Sequence, residues 1–396
     1  MTKPLDGIKV LDLTRVLAGP YCTMLLADMG ANVVKVERPG AGDDTRAYGP
    51  PFVNGESAYF MSVNRNKRSL TLNLKHADGL KVLERLIAAT DVLVENFRPG
   101  TMEAFGYGYE QARAVNPRLI FCSISGFGHT GPKADLPGYD LIIQGEGGVS
   151  SLTGSPDGPP YKVGTSPADV VAGMMGFQGI LLSLLSRQQT GCGQKVDIGM
   201  LDCQVAMLTY QAGIYFATGE SPTRMGNQHP TITPYETYLC ADGYINLACG
   251  NDAMWRAFCG ALERQEWTAD PRFATNADRV QHRKQLQALL EPVMQQKTTR
   301  EWVDTLQRHG IPCGVIQSVG EVCEDPQVTA RDMVVELQHP KAGSMRVTGV
   351  PVKLSATPGG VSTPPPLLGE HTERVLSEWL HMDAAEVERL RDDRAV

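Results

Sequence analysis

The chain has 396 residues, of which 42% are hydrophobic and 20% charged, with a formal net charge of −7. That balance excludes a fibre, a disordered tail and a chain built wholly for nucleic acid, and the length allows two domains with buried cores. The charge is uneven: residues 1–100 hold 13 Lys and Arg against 11 Asp and Glu, a basic third in an acidic chain that suits a local anion site.

In chain order, residues 8–13 (IKVLDL) predict a strand, Ala18 to Gly30 a helix with Tyr21, Met24, Leu25 and Met29 on one face, and Asn32 to Glu37 a second strand stopped by Arg38-Pro39-Gly40. The pattern repeats with a strand over Ser69–Leu74, a helix over His76–Thr90 and a strand over Asp91–Phe97, then a helix reaching Asn116 and a strand over Leu119–Ile124. Continuous apolar strands alternating with helices are the mark of a doubly wound α/β sheet with parallel pairing. Such sheets bind ligands beyond their strand ends. There stand Arg38, Lys75, Asn96-Phe97-Arg98 and the run Asn64-Arg65-Asn66-Lys67-Arg68, cations suited to phosphates with a ring at Phe97 to stack a base.

Gly126 to Gly131 spells G-x-G-x-x-G after a strand, but Pro132 and Pro137 forbid the helix that a dinucleotide fingerprint needs, and its ribose-binding acid is missing. Gly145 to Pro160 reads as a loop. It leads into the stretch Thr165 to Arg187, a long apolar helix opened by Asp169. Ser166-Pro167-Ala168-Asp169 fits a capping box, in which the acid serves the helix end, and spacing alone favours that reading over a carboxylate placed at a ligand's reactive end. The apolar run Val170–Ser186 is 17 residues, short of a bilayer span, and predicts a core helix whose small residues Ala172, Gly173, Gly176 and Gly179 admit a close neighbour.

A last strand over Lys195–Ile198 and a helix over Leu201–Thr218 follow, then a loop over Gly219–Pro234. Tyr235–Leu239 and Tyr244–Ala248 predict a hairpin turned at Ala241-Asp242-Gly243, with helices around 252–263, 281–295 and 299–308. Val322 to Ser355 reads as strands, and Pro364-Pro365-Pro366 precedes a terminal amphipathic helix. The nine cysteines form no C-x-x-C pair and no secretory h-region opens the sequence, so reduced thiols in the cytoplasm are expected; no metal motif occurs.

The stretches IKVLDLTRVLAGPYCT (8–23), NVVKVERPGAGDDTR (32–46), VNRNKRSLTLNL (63–74), VENFRPG (94–100), TGCGQKVDIGMLD (190–202), GIPCG (310–314) and PPPLLGEHT (364–372) together give the chain a resemblance to the class III coenzyme A transferases. That family includes formyl-CoA:oxalate, carnitine and succinyl-CoA:dicarboxylate CoA-transferases and, more distantly, α-methylacyl-CoA racemases. The resemblance implies a large Rossmann-like domain from 1–220 and 322–396, a small α/β domain from 221–321, and two ring-shaped subunits interlocked as a homodimer. It places the nucleophile on Asp169, which loads CoA from an acyl-CoA donor through a mixed anhydride and an aspartyl thioester and hands it to an acceptor acid, with no prosthetic group, metal, nucleic acid or membrane involved.

It places CoA contacts on Val16, Ala18, Arg38, Leu72, Lys75, Asn96, Phe97, Arg98 and Tyr139, and acceptor contacts on Tyr59 and on Gly250 in the loop Ala248-Cys249-Gly250-Asn251. The formyl-CoA branch has glutamine where this chain has Leu17, basic residues where it has Ala104 and Pro137, and a tetraglycine insertion absent at 219–234. The chain looks closer to the succinyl-CoA:dicarboxylate branch, whose acceptor needs a second cation, for which Arg46 and Arg224 are candidates. The racemase histidine falls on Tyr139, a poor base near neutral pH because phenols titrate near 10. A CoA-binding protein without catalysis is the remaining alternative.

Overall fold

The protein is described here from a computed structural model covering residues 2–396. Packing divides it into two units, one made of residues 2–149, Lys162–Ala217 and Pro326–Val396, the other of Ser150–Tyr161 and Thr218–Asp325.

The first unit is built on six parallel strands: β1 (Lys9–Asp12), β2 (Asn32–Glu37), β3 (Arg68–Thr71), β4 (Val92–Glu95), β5 (Ile120–Ser125) and β6 (Lys195–Gly199). They lie in the order β3-β2-β1-β4-β5-β6. The strands read as unbroken apolar runs because both faces are covered. Neighbouring residues in each strand serve opposite layers: Val10, Val33, Val92 and Ile120 face one core, Leu11, Val34, Leu93 and Phe121 the other. The first layer is α1 (Ala18–Asp28), α3 (Asp140–Glu146) and α4 (Pro167–Thr190); the second is α2 (Ala77–Ala88), α5 (Thr372–Leu380) and α6 (Ala384–Asp392). The strand order reverses between β1 and β4, and the crevice beyond their carboxyl ends is where such a sheet takes a ligand.

Helix α4 runs 24 residues, longer than the apolar run at its heart, and by length and composition alone is long enough to cross a bilayer. Its small-residue face instead packs onto α1 and β5. A Cβ on Gly173 would stand 2.7 Å from the Ala18 carbonyl oxygen, so glycine is what lets the two backbones meet. Buried Arg187 closes its far end, binding Asp91 at 2.9 Å.

Several expected boundaries shift. The loop expected over 145–160 begins inside α3 and carries a turn of helix at Val149–Leu152, and its segment Ser150–Tyr161 packs with the second unit. The helix expected over 201–218 breaks at Leu208, where Thr209 takes φ 41°. Short helices at Val319–Glu324 and Pro326–Ala330 precede the hairpin Val334–His339 and Gly343–Thr348, and the terminal helix is two, parted at His381 with φ 56°. In each case a left-handed residue or a local cap interrupts a pattern that periodicity alone runs together.

The second unit holds the expected hairpin Tyr235–Leu239 and Tyr244–Ala248, with Cys313–Val315 added beside its second strand. Helices Asp252–Ala261, Arg283–Met294 and Thr299–Arg308 cover it with Trp255, Phe258, Leu286, Leu290 and Trp302.

Candidate active site

The segment between β1 and α1 is fixed at nearly every backbone polar atom. Asp12 accepts the Thr14 N–H at 2.9 Å, and Lys35 donates to the Thr14 carbonyl at 2.8 Å. The Asn96 amide takes the Arg15 N–H at 2.8 Å and returns a bond to the Arg15 carbonyl at 2.7 Å. Asp43 accepts the Val16 N–H at 3.3 Å. Between these clamps Val16 sits at φ 68°, a left-handed conformation that a β-branched residue adopts only when its surroundings over-determine it.

The clamps rest on a fully buried charge array: Lys35 pairs with Asp43 at 2.8 Å and Lys67 with Asp12 at 3.1 Å, all four side chains 0% exposed. Burial alone would pull Lys35 down, but Asp43, Asp12 and Glu37 outweigh it and hold the ammonium above its usual range. Burial likewise pushes Asp43 up, and Lys35 with the Thr45 hydrogen bonds more than reverses it.

The result is a rigid α1 N-terminus whose Ala18 backbone lies near enough to the Asp169 carboxylate to favour its charged form. The capping box expected at Ser166–Asp169 does not form, since the Ser166 side chain caps nothing. Asp140 performs that duty from α3, its Oδ1 accepting the Ala168 N–H at 3.0 Å and its Oδ2 the Gln144 amide at 2.6 Å. Asp169 is therefore released from serving its own helix. Burial, and then the Asp140 charge, push it up to about 7 against the opposing influence of the Ala18 backbone. A carboxyl group so placed is half ionised near neutrality and poorly solvated, which suits attack on an electrophile.

Asp169 opens into a cavity of about 170 Å³ shared with Val16, Ala18, Asn96, Phe97, Arg98 and Tyr139. A second cavity of about 510 Å³ adjoins it, with Arg15 and Phe97 in both walls, and is lined by Arg38, Leu72 and Lys75. Residues scattered from 16 to 169 thus meet on one edge of one sheet. Phe97 packs edge-on against Phe105 at 6.1 Å, and the Arg15 guanidinium lies 5.3 Å from its ring centre. Tyr59 stands close enough to Asp169 that, after burial, the Asp169 charge is the main influence raising its phenol to about 12.

Other expected residues are engaged elsewhere. Arg46 forks onto Glu37 with two 2.7 Å bonds and covers the Phe60 ring at 3.7 Å, so its charge is spent inside the fold rather than held for a second carboxylate. In the run Asn64–Arg68, expected to meet phosphates, Arg65 is buried on Asp28 at 2.7 Å and Lys67 on Asp12. Arg224, in the second unit, donates to the Ser155 and Gly158 carbonyls at 3.3 and 2.8 Å. Gly250 also lies in that unit, one residue before Asn251 caps the helix Asp252–Ala261.

Residues 5–372 match the family described as CoA-transferase family III. The chain belongs to that family. It is 42% identical over 388 residues to the succinyl-CoA:glutarate CoA-transferase of Mus musculus, covering 98% of this chain and 89% of that one. It is 43% identical over 387 residues to the succinyl-CoA:mesaconate CoA-transferase of Haloarcula marismortui, covering 94% and 96%. Among solved structures, a CAIB/BAIF family protein from Brucella suis superposes with a TM-score of 0.86 at 42% identity, over 96% of this chain and 100% of that one.

Within this transferase three supporting residues escaped sequence reasoning. Asp140 lies 28 positions from the N–H it caps, and Lys35 sits in an apolar strand where periodicity marks it only as an oddity. Glu95, at the end of β4, accepts the Phe97 N–H at 2.8 Å and so sets the turn that carries Phe97 and Arg98. Burial pushes Glu95 up to about 7, against its Phe97 hydrogen bond. A buried acid ending a strand beside N-F-R was the available signal for it.

Proposed function

We propose that the protein transfers coenzyme A from a succinyl-type acyl-CoA donor to a dicarboxylic acid, with Asp169 as the covalent carrier. The observation that carries this is the Asp169 carboxylate, released from capping by Asp140, lining one cavity with Ala18 and Arg98. The relatives' names supply the substrate class: glutarate and mesaconate are both dicarboxylates.

An Asp169 oxygen attacks the donor thioester carbonyl, and the C–S bond breaks to release CoA thiolate, leaving a mixed anhydride. The thiolate attacks the Asp169 carbonyl, expelling the donor as its carboxylate and leaving an aspartyl–CoA thioester. An acceptor carboxylate attacks that thioester, forming a new anhydride and thiolate. The thiolate then takes the acceptor acyl group and restores Asp169. Every step is a displacement at an acyl carbon, so no electrons are exchanged with a second group. The Ala18 N–H is aimed where negative charge gathers on the aspartyl carbonyl, and the clamps on residues 14–16 hold it there without reorganisation. Val16, Asn96, Phe97, Arg98 and Tyr139 bind the CoA arm, and Arg38, Leu72 and Lys75 its nucleotide. Tyr59, beside Asp169, serves the acceptor.

The working form in this reading is an interlocked ring-like homodimer in the cytoplasm, with 1–220 and 322–396 as its large domain and 221–321 as its small one. Exposed Met174, Met175, Leu182 and Leu185 on α4, together with Phe216 at 81% exposure, supply an apolar face for a second copy.

The test is a panel of acyl-CoA donors against mono- and dicarboxylates, scored for new thioesters, with wild type and Asp169→Ala in parallel. New dicarboxyl-CoA from wild type alone supports the reading. Turnover by Asp169→Ala, or α-epimerisation of a branched acyl-CoA without any acceptor, overturns it.

A further inference from the structure

The nucleotide end of the second cavity contains a cation that the family resemblance did not mark. Arg394 lines the same cavity as Arg38 and Lys75. It sits just beyond α6 in the left-handed conformation, φ 58°, uncommon for an arginine.

The neighbouring chain holds it there. Ala395 is completely buried, its N–H donating to the Leu390 carbonyl at 2.8 Å and its own carbonyl accepting the Asn73 N–H at 2.8 Å. The Asn73 side chain completes the link, accepting the Lys75 N–H through Oδ1 at 3.1 Å and donating through Nδ2 to the Arg394 carbonyl at 3.3 Å. One amide thus fixes the backbones of two cations that are 319 positions apart in sequence. A strained residue held by so many bonds points to a role for its side chain.

Charge pairing separates these two from the rest of the wall. Arg15 and Arg38 both share Asp44, whereas Lys75 and Arg394 form no ion pair among the described residues. Position separates them as well. The two cavities meet at Arg15 and Phe97, so a CoA molecule with its sulfur at Asp169 passes those residues before reaching Lys75 and Arg394. Arg15, common to both cavities, suits the pyrophosphate, and Lys75 and Arg394, which line only the second, suit the phosphomonoester on the ribose, a nearly doubly charged group.

We propose that Arg394, together with Lys75, grips the 3′-phosphate of CoA and makes the protein discriminate CoA from 3′-dephospho-CoA. This rests on the placement of the CoA sulfur at Asp169. Arg394 acts as a specificity residue remote from the reacting atoms.

The experiment is calorimetric titration of the full chain with CoA and with 3′-dephospho-CoA, for wild type, Arg394→Gln and Arg394→Lys, with circular dichroism confirming that each variant is folded. Wild type should prefer CoA, and Arg394→Gln should weaken CoA about 5- to 20-fold while leaving dephospho-CoA within about twofold. Arg394→Lys should recover part of the preference, because it keeps the charge and loses the fork. Equal weakening of both ligands, or unchanged CoA affinity, overturns the assignment while wild-type CoA binding leaves the transferase reading intact. Wild type that binds neither ligand overturns both.

Discussion

Replacing Asp140 by asparagine removes the like charge beside Asp169 while leaving an oxygen to accept the Ala168 N–H, now bonded at 3.0 Å. Asp169 is pushed up to about 7 by burial first and by Asp140 second, so the acidic limb of kcat/KM for the acyl-CoA donor should fall near pH 7 in wild type. A neighbouring like charge in a partly buried site is worth about 1 kcal/mol, which moves that limb down by about one pH unit in Asp140→Asn. At pH 6 the ionised fraction of Asp169 then rises from about one-tenth to about one-half, and relative kcat/KM about fivefold. Asp140→Ala should move the limb by the same amount and in addition cost about 1 kcal/mol of stability, because the α4 cap is lost. The assay is initial-rate kinetics from pH 5 to 8.5 in buffers of constant ionic strength, with urea melts alongside. A limb that stays in place in both variants, or moves upward, refutes the coupling between Asp140 and Asp169.

Asp169→Asn should be more stable than wild type at pH 8 by up to about 4 kcal/mol, since a carboxyl group whose folded pKa is raised loses stability as pH climbs from about 4 to 7. Equilibrium unfolding should show that gain disappear near pH 4. Asp43→Ala leaves Lys35 charged and buried and should cost about 3–5 kcal/mol in urea melts, more than truncating an exposed acid such as Glu110. Gly173→Ala forces a methyl to within 2.7 Å of the Ala18 carbonyl oxygen, so it should destabilise by about 1–3 kcal/mol and reduce kcat more than it raises KM, as read from steady-state kinetics of the folded fraction.

What the sequence revealed and what it concealed divide by range. The parallel sheet was legible because Val10-Leu11, Val33-Val34 and Val92-Leu93 are apolar on both faces, a pattern only a doubly covered strand tolerates. Asp169 was visible as a carboxylate opening an apolar helix, yet whether it capped that helix depended on Asp140, which no local spacing connects to it. Arg46, Arg65 and Lys67 looked like ligand cations for the same reason. Their partners Glu37, Asp28 and Asp12 lie 9, 37 and 55 positions away, and only the packed sheet brings them together. Arg394 was concealed by the opposite effect, since the segment holding it returns to β3 from the far end of the chain.

The most direct measurement is peptide mass spectrometry after incubation with an acyl-CoA donor and hydroxylamine, which cleaves activated aspartyl esters to the hydroxamate. The account predicts one modified peptide, containing Asp169, formed only when donor is present. An unmodified Asp169 in a protein that is turning over, or a hydroxamate on a different carboxylate, would contradict it.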